Sequence, residues 1–80
     1  MHRTTITLDY PFEFQGLNIQ ELKIRRPKVI DLMTAQKQKT DSEQEVTLLS
    51  NLCEVSPECI QQLDLTDYGR VQKAYQDFLE

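Results

Sequence analysis

Asp64 and Asp67 stand three residues apart, close enough for a carboxylate pair to be tested for acid–base chemistry. Such chemistry needs the two groups to face each other across a cleft, with one of them held protonated. Both fall at a junction between helical segments, where a turn residue and a first-turn acid account for them, so neither is assigned a catalytic role. Cys53 and Cys59 are the two thiols. Five residues separate them, the single histidine is His2, and the spacing of a zinc site is missing. The expectation is a pair of buried thiols in a reducing compartment. No Gly-rich phosphate loop, Gly-x-Ser-x-Gly or His-Glu-x-x-His motif occurs. The sequence therefore predicts no enzyme, no catalytic or metal-ligating residue and no cofactor.

Arg25, Arg26 and Lys28 form the dense basic cluster of the chain. A nucleic-acid patch would need aromatic residues interleaved with it and more positive charge around it. The sequence pI is near 4.9, which argues against nucleic acid. Salt bridges to an acidic second half, or contact with an acidic partner segment, are the readings left open. The charge is divided accordingly: residues 1–39 carry seven Lys/Arg and four Asp/Glu, and residues 40–80 carry two and nine, for a net −4. Tyr10, Phe12 and Phe14 share a strand parity and read as packing residues rather than as a base-stacking platform.

The elements that must position these groups follow from periodicity. Thr5 to Phe14 alternates, with Ile6, Leu8 and Tyr10 on one face. Pro11 removes a ladder donor, so the strand is an edge or stops near there. Gln15-Gly16 is the turn, Gly16 being free to take positive φ. A second strand runs from about Leu17 to Arg25. Leu17 and Ile19 fall on one parity, Leu22 and Ile24 on the other; a bulge near Gln20–Glu21 would unite them, and the alternative is a strand with both faces partly covered. Pro27 suits the first position of a helix over about 27–38, whose stripe is Val29, Ile30, Leu32 and Met33.

Asp41 or Ser42 caps a second helix that carries Val46, Leu49, Leu52 and Cys53 and ends near Glu54. Ser56-Pro57-Glu58 starts a short third helix with Ile60 and Leu63. Thr66 caps the last, on which Tyr68, Val71, Ala74, Tyr75, Phe78 and Leu79 recur at helical spacing. The fold class is α+β: one domain of 80 residues, with a two-stranded antiparallel hairpin over 1–26 and three or four short α-helices over 27–80. A lone hairpin is marginal in water, so it packs on the helices or pairs with another copy. No apolar run spans a membrane and the first residues lack a secretory pattern, so the expected location is the cytoplasm.

The order of these residues resembles the phage tail assembly chaperone family, the tail protein E group of Mu-like and related contractile-tailed phages. The resemblance runs through Ile6-Thr7-Leu8-Asp9-Tyr10-Pro11, the Gly16 turn, Leu22-Lys23-Ile24-Arg25-Arg26-Pro27 and Val29-Ile30-Asp31-Leu32. It continues through Leu49 to Leu52, Ser56-Pro57, Leu63-Asp64, Leu65-Thr66-Asp67-Tyr68 and Phe78-Leu79. It implies a non-enzymatic protein of a phage or prophage that binds the tape measure protein and keeps it soluble during tail tube assembly. It also implies a contact with the tail tube protein through a longer, frameshifted form. The residues expected to meet a partner, or a second copy in a homo-oligomer, are Leu49, Leu52, Val71, Tyr75 and Phe78, with Arg25, Arg26 and Lys28. The competing expectation is that the apolar five fill the core. The alternative class is a small adaptor or antitoxin-like regulatory module, weakened by the lack of a basic recognition helix and of a disordered tail.

Overall fold

The computed structural model describes residues 3–80, so His2 lies outside the described residues. Two antiparallel strands, β1 (Arg3–Phe14) and β2 (Leu17–Arg25), are followed by four helices: α1 (Val29–Ala35), α2 (Asp41–Cys53), α3 (Pro57–Gln61) and α4 (Leu65–Phe78). The expected α+β hairpin-then-helices architecture is the observed one. The turn places both Gln15 (φ 51°) and Gly16 (φ 79°) in the left-handed region. That is the pattern of a two-residue turn matched to the strand twist.

The inner face of the hairpin carries Ile6, Leu8, Leu22 and Ile24, all buried. Helix α2 packs on β2 and α4 packs on β1. Leu49, Leu52, Ile60 and Val71 complete a core shared by strands and helices. Each such aliphatic side chain contributes about 1.5–3 kcal/mol on burial. The outer face is polar, with Thr5 opposite Lys23 and Thr7 opposite Glu21.

The irregularity expected in β2 lies instead in β1. Thr7 pairs with Glu21 and Phe12 with Ile19, so residues 8–11 oppose Gln20 alone. Pro11, without an N–H, sits inside this break. Leu22 and Ile24 reach the core and Ile19 packs at its edge, but Leu17 stays 67% exposed, so the four residues do not share one buried face. Tyr10, within the break, is exposed, whereas Phe12 packs against the core.

Helix boundaries differ where side chains compete for the caps. Helix α1 begins at Val29 rather than Pro27, because Lys28 is extended (φ −127°, ψ 164°) and its N–H donates to the Asp31 carboxylate at 2.9 Å. It ends at Ala35, where Lys37 and Gln38 donate to Thr34 and Ala35 in tightened i→i+3 bonds. Thr40, not Asp41 or Ser42, caps α2: its hydroxyl accepts from Glu43 N at 3.1 Å and donates to Glu43 Oε1 at 3.0 Å. Asp64, not Thr66, caps α4 by accepting from Thr66 N at 3.0 Å. Ser56 caps α3 as expected.

Candidate functional site

Helix α1 is apolar on the side turned to solvent. Its buried residues are Asp31 and Ala35. Val29, Ile30, Leu32 and Met33 are 74, 61, 48 and 56% exposed. At about 100° per residue these four sweep roughly 160° of the helix surface, centred opposite Asp31 and Ala35. The helical stripe thus points away from the core.

The local chemistry explains the inversion. The Arg25 guanidinium grips Asp31 with two bonds, Nη1 to Oδ2 at 2.9 Å and Nη2 to Oδ1 at 2.7 Å. A planar fork on a carboxylate fixes direction as well as distance. Arg25 and the Lys28 N–H together hold the Asp31 carboxyl below its ordinary range, despite the opposing effect of burial. This anchor, together with Ala35 packed into the core, sets the inward side of α1 and leaves the large side chains outside.

Beside α1, a groove of about 260 Å³ opens between α1, α2 and α4. Leu32, Ala35, Leu48, Leu49 and Tyr75 supply its apolar lining, and Gln36, Gln44, Gln72 and Gln76 its polar rim. Asp41 and Glu45 stand on the α2 wall. Glu45 is engaged, accepting from the Tyr68 hydroxyl and from Gln72 Nε2 at 2.7 Å. Burial, and then the Glu45 carboxylate, push the Tyr68 hydroxyl well above its usual range.

The partner-facing residues expected from the sequence are dispersed. Leu49, Leu52 and Val71 are 1, 0 and 0% exposed, packed inside this chain. Leu52 and Val71 present no surface in the folded protein and Leu49 only touches the floor of the groove, because α2 and α4 bury all three to cover the hairpin. Tyr75 is half-buried and lines the groove. Phe78 is half-buried beneath Arg26, whose guanidinium lies 6.0 Å from the ring centroid. Lys28 is exposed. Arg25 does pair with an acid, but the acid is Asp31, six residues away, and not one of the acidic second half. Ion pairs between the halves come instead from Arg3 with Glu54 and Arg70 with Asp9. Sequence reasoning misses the outward face of α1. Its signal is the placement of Asp31 and Ala35 four residues apart among large apolar neighbours, which marks the anchored side of a short helix.

The other chemistry-bearing residues are structural. Asp64 is an exposed cap, whereas Asp67 is fully buried, so the pair does not share a cleft. Cys53 and Cys59 are both buried and unbridged. Among the described residues no His, Cys, Asp and Glu side chains gather in a metal-holding group. No helix is long and apolar enough to cross a membrane.

The chain is thus a small α+β scaffold that ties Asp31 to Arg25 and Asp67 to backbone donors and turns an apolar helix face outward. The chain belongs to the family of phage tail assembly chaperone proteins, E, or 41 or 14, whose family model matches residues 5–80. No curated protein and no solved structure matches it. Membership supports a role in tail assembly and, with it, interaction with tail proteins.

Proposed function

We propose that this protein binds the tape measure protein of its own phage or prophage in the host cytoplasm. It keeps that protein soluble while the tail tube assembles around it. The observation that carries the reading, beside family membership, is the outward apolar face of α1. An exposed cluster of large aliphatic side chains on a small protein marks an interaction surface. A chaperone of this kind works by burial: apolar surface removed from water contributes about 25 cal/mol per Å². No chemical step is required. The net charge of −4 favours solubility of a complex whose apolar faces are paired. A longer form, made by frameshifting, would add a contact with the tail tube protein.

Co-expression with the tape measure protein from the same gene cluster tests this reading. The expected result is a soluble tape measure protein that co-purifies with the 80-residue chain. A tape measure protein that stays insoluble and unbound with both this chain and its longer form overturns the reading and favours a small adaptor.

A further inference from the structure

We infer that the outward face of α1 receives an amphipathic helix with one acidic flank, supplied by another protein. The inference rests on the tape measure reading only for the name of that protein; the chemistry of the face is independent of it. Arg26 and Lys28 precede α1, and Lys37 and Lys39 follow it. Among the described residues none of these four cations is in an ion pair, nor is Lys23 on the outer face of the hairpin, whereas Arg3, Arg25, Arg70 and Lys73 all are. The apolar face is therefore bracketed at both ends by positive charge outside any ion pair, with Arg26 lying over the Phe78 ring. The seven residues of α1 span roughly 10 Å, so the two ends address carboxylates about two to three turns apart on a facing helix. An apolar side chain from such a helix, spaced as in helix-in-groove recognition, enters the groove between Leu32 and Tyr75.

Charge decides between the candidate occupants. A second copy docked α1 against α1 would bring Arg26, Lys28, Lys37 and Lys39 against their own duplicates, and like charges at an interface oppose association. A second copy docked head-to-tail by its acidic half would build a ring or a filament, an assembly that a measurement of oligomeric state detects. A neutral apolar segment would leave cations at the edge of a desolvated patch without partners. A helix with acids on one flank satisfies them. Its other flank meets the glutamine rim and Asp41 on the α2 side, so that flank is amide-bearing or basic. The two walls thus fix the orientation of the guest.

Two labelled synthetic peptides of about 18 residues, near five helical turns, test the inference by fluorescence anisotropy. They share one apolar spacing and one glutamine flank and differ in the other flank, glutamate in one peptide and lysine in the other. The glutamate peptide is expected to bind and to weaken several-fold when salt is raised from about 0.05 to 0.5 M, as screening predicts. Met33→Asp is expected to weaken it at least about tenfold, and Lys28→Glu with Lys37→Glu to reverse the preference. All three positions are exposed, and circular dichroism melts serve as the folding check. Equal binding of both peptides, binding of neither, or a wild-type oligomer that Met33→Asp converts to monomer overturns the inference. If wild type and Met33→Asp solubilise the tape measure protein equally, the proposed function stands and this surface is not its site. If the glutamate peptide binds as described while the tape measure protein stays insoluble, the surface stands and the named partner falls.

Discussion

Asp67 Oδ2 accepts the backbone N–H of Tyr10 at 3.0 Å, across 57 positions of sequence. Its other oxygen accepts the Asp9 N–H, also at 3.0 Å, and the side chain is fully buried. These two donors belong to the stretch of β1 that has lost its strand register. A buried carboxylate is expensive unless its lone pairs are taken, and a freed backbone donor is expensive unless it finds an acceptor. Each problem answers the other here. Arg70 adds positive charge, with Nη1 3.4 Å from Asp67 and 3.2 Å from Asp9. The break in β1 is therefore the point at which the hairpin is fastened to α4.

Truncating this contact leaves two donors without an acceptor. Asp67→Ala is expected to cost about 2–4 kcal/mol, which in a domain of this size lowers the melting temperature by more than about 10 °C. Asp67→Asn keeps one acceptor but sets an amide donor against the second N–H, so it falls between wild type and alanine. Thermal melts of the three proteins check the order. An asparagine variant as stable as wild type would show that the second acceptor contributes nothing.

The same docking shows where the sequence is legible. The hairpin, its Gln15-Gly16 turn, the Ser56-Pro57 start and the α4 stripe all follow from local patterns, because each is fixed by residues within a turn or two of one another. Asp67 is legible as a first-turn acid, but its bond to Tyr10 is a tertiary contact that no periodicity encodes. The inversion of α1 escapes for a related reason. Val29, Ile30, Leu32 and Met33 have the spacing of a core stripe, and what overrides that spacing is a long-armed fork from Arg25 at the end of the preceding strand. Leu49, Leu52 and Val71 stand between core and partner roles in the sequence, since spacing alone does not say which apolar face is covered.

The Arg25–Asp31 anchor makes α1 sensitive to acid. Asp31 titrates below its unfolded value in the folded chain, because Arg25 and the Lys28 N–H favour the carboxylate. Between the two values the unfolded state binds more protons, so stability rises with pH there. The contribution is complete above the unfolded value of about 3.9 and is lost as pH falls through the folded one. Denaturant melts between about pH 2.5 and 6, a range that brackets that value, are expected to show Asp31→Asn less stable than wild type at the upper end, with the two curves converging at the lower. Parallel curves would show that Asp31 carries no such linkage.

The thiols are expected to be inert in the native protein. Burial, with a smaller effect of Cys59, pushes Cys53 up to about 12, and burial also raises Cys59. With a value near 12, on the order of one Cys53 in 10,000 is thiolate at about pH 8. Reaction with a disulfide reagent such as DTNB should therefore proceed at the rate of opening, and become immediate in denaturant. Rapid modification of the folded chain would contradict the burial of both side chains.

At the end of α2, Glu54 adopts φ 58°, the left-handed conformation that favours glycine. The geometry closes the helix: Glu54 N donates to Asn51 O at 3.3 Å, and Val55 N to Ser50 O at 3.0 Å. A non-glycine backbone in this conformation costs about 1 kcal/mol. Opposing that cost is the Arg3–Glu54 ion pair at 2.7 Å, whose partners are 35 and 54% exposed. A pair so open to water is screened and contributes little, so the backbone strain outweighs it. Glu54→Gly is therefore expected to stabilise the protein and raise the melting temperature by roughly 2–4 °C. Arg3→Ala should then have no further effect in the glycine background, while lowering the melting temperature slightly in wild type. If glycine instead destabilises, and Arg3→Ala matches its loss, the ion pair outweighs the strain and ties the start of β1 to the end of α2.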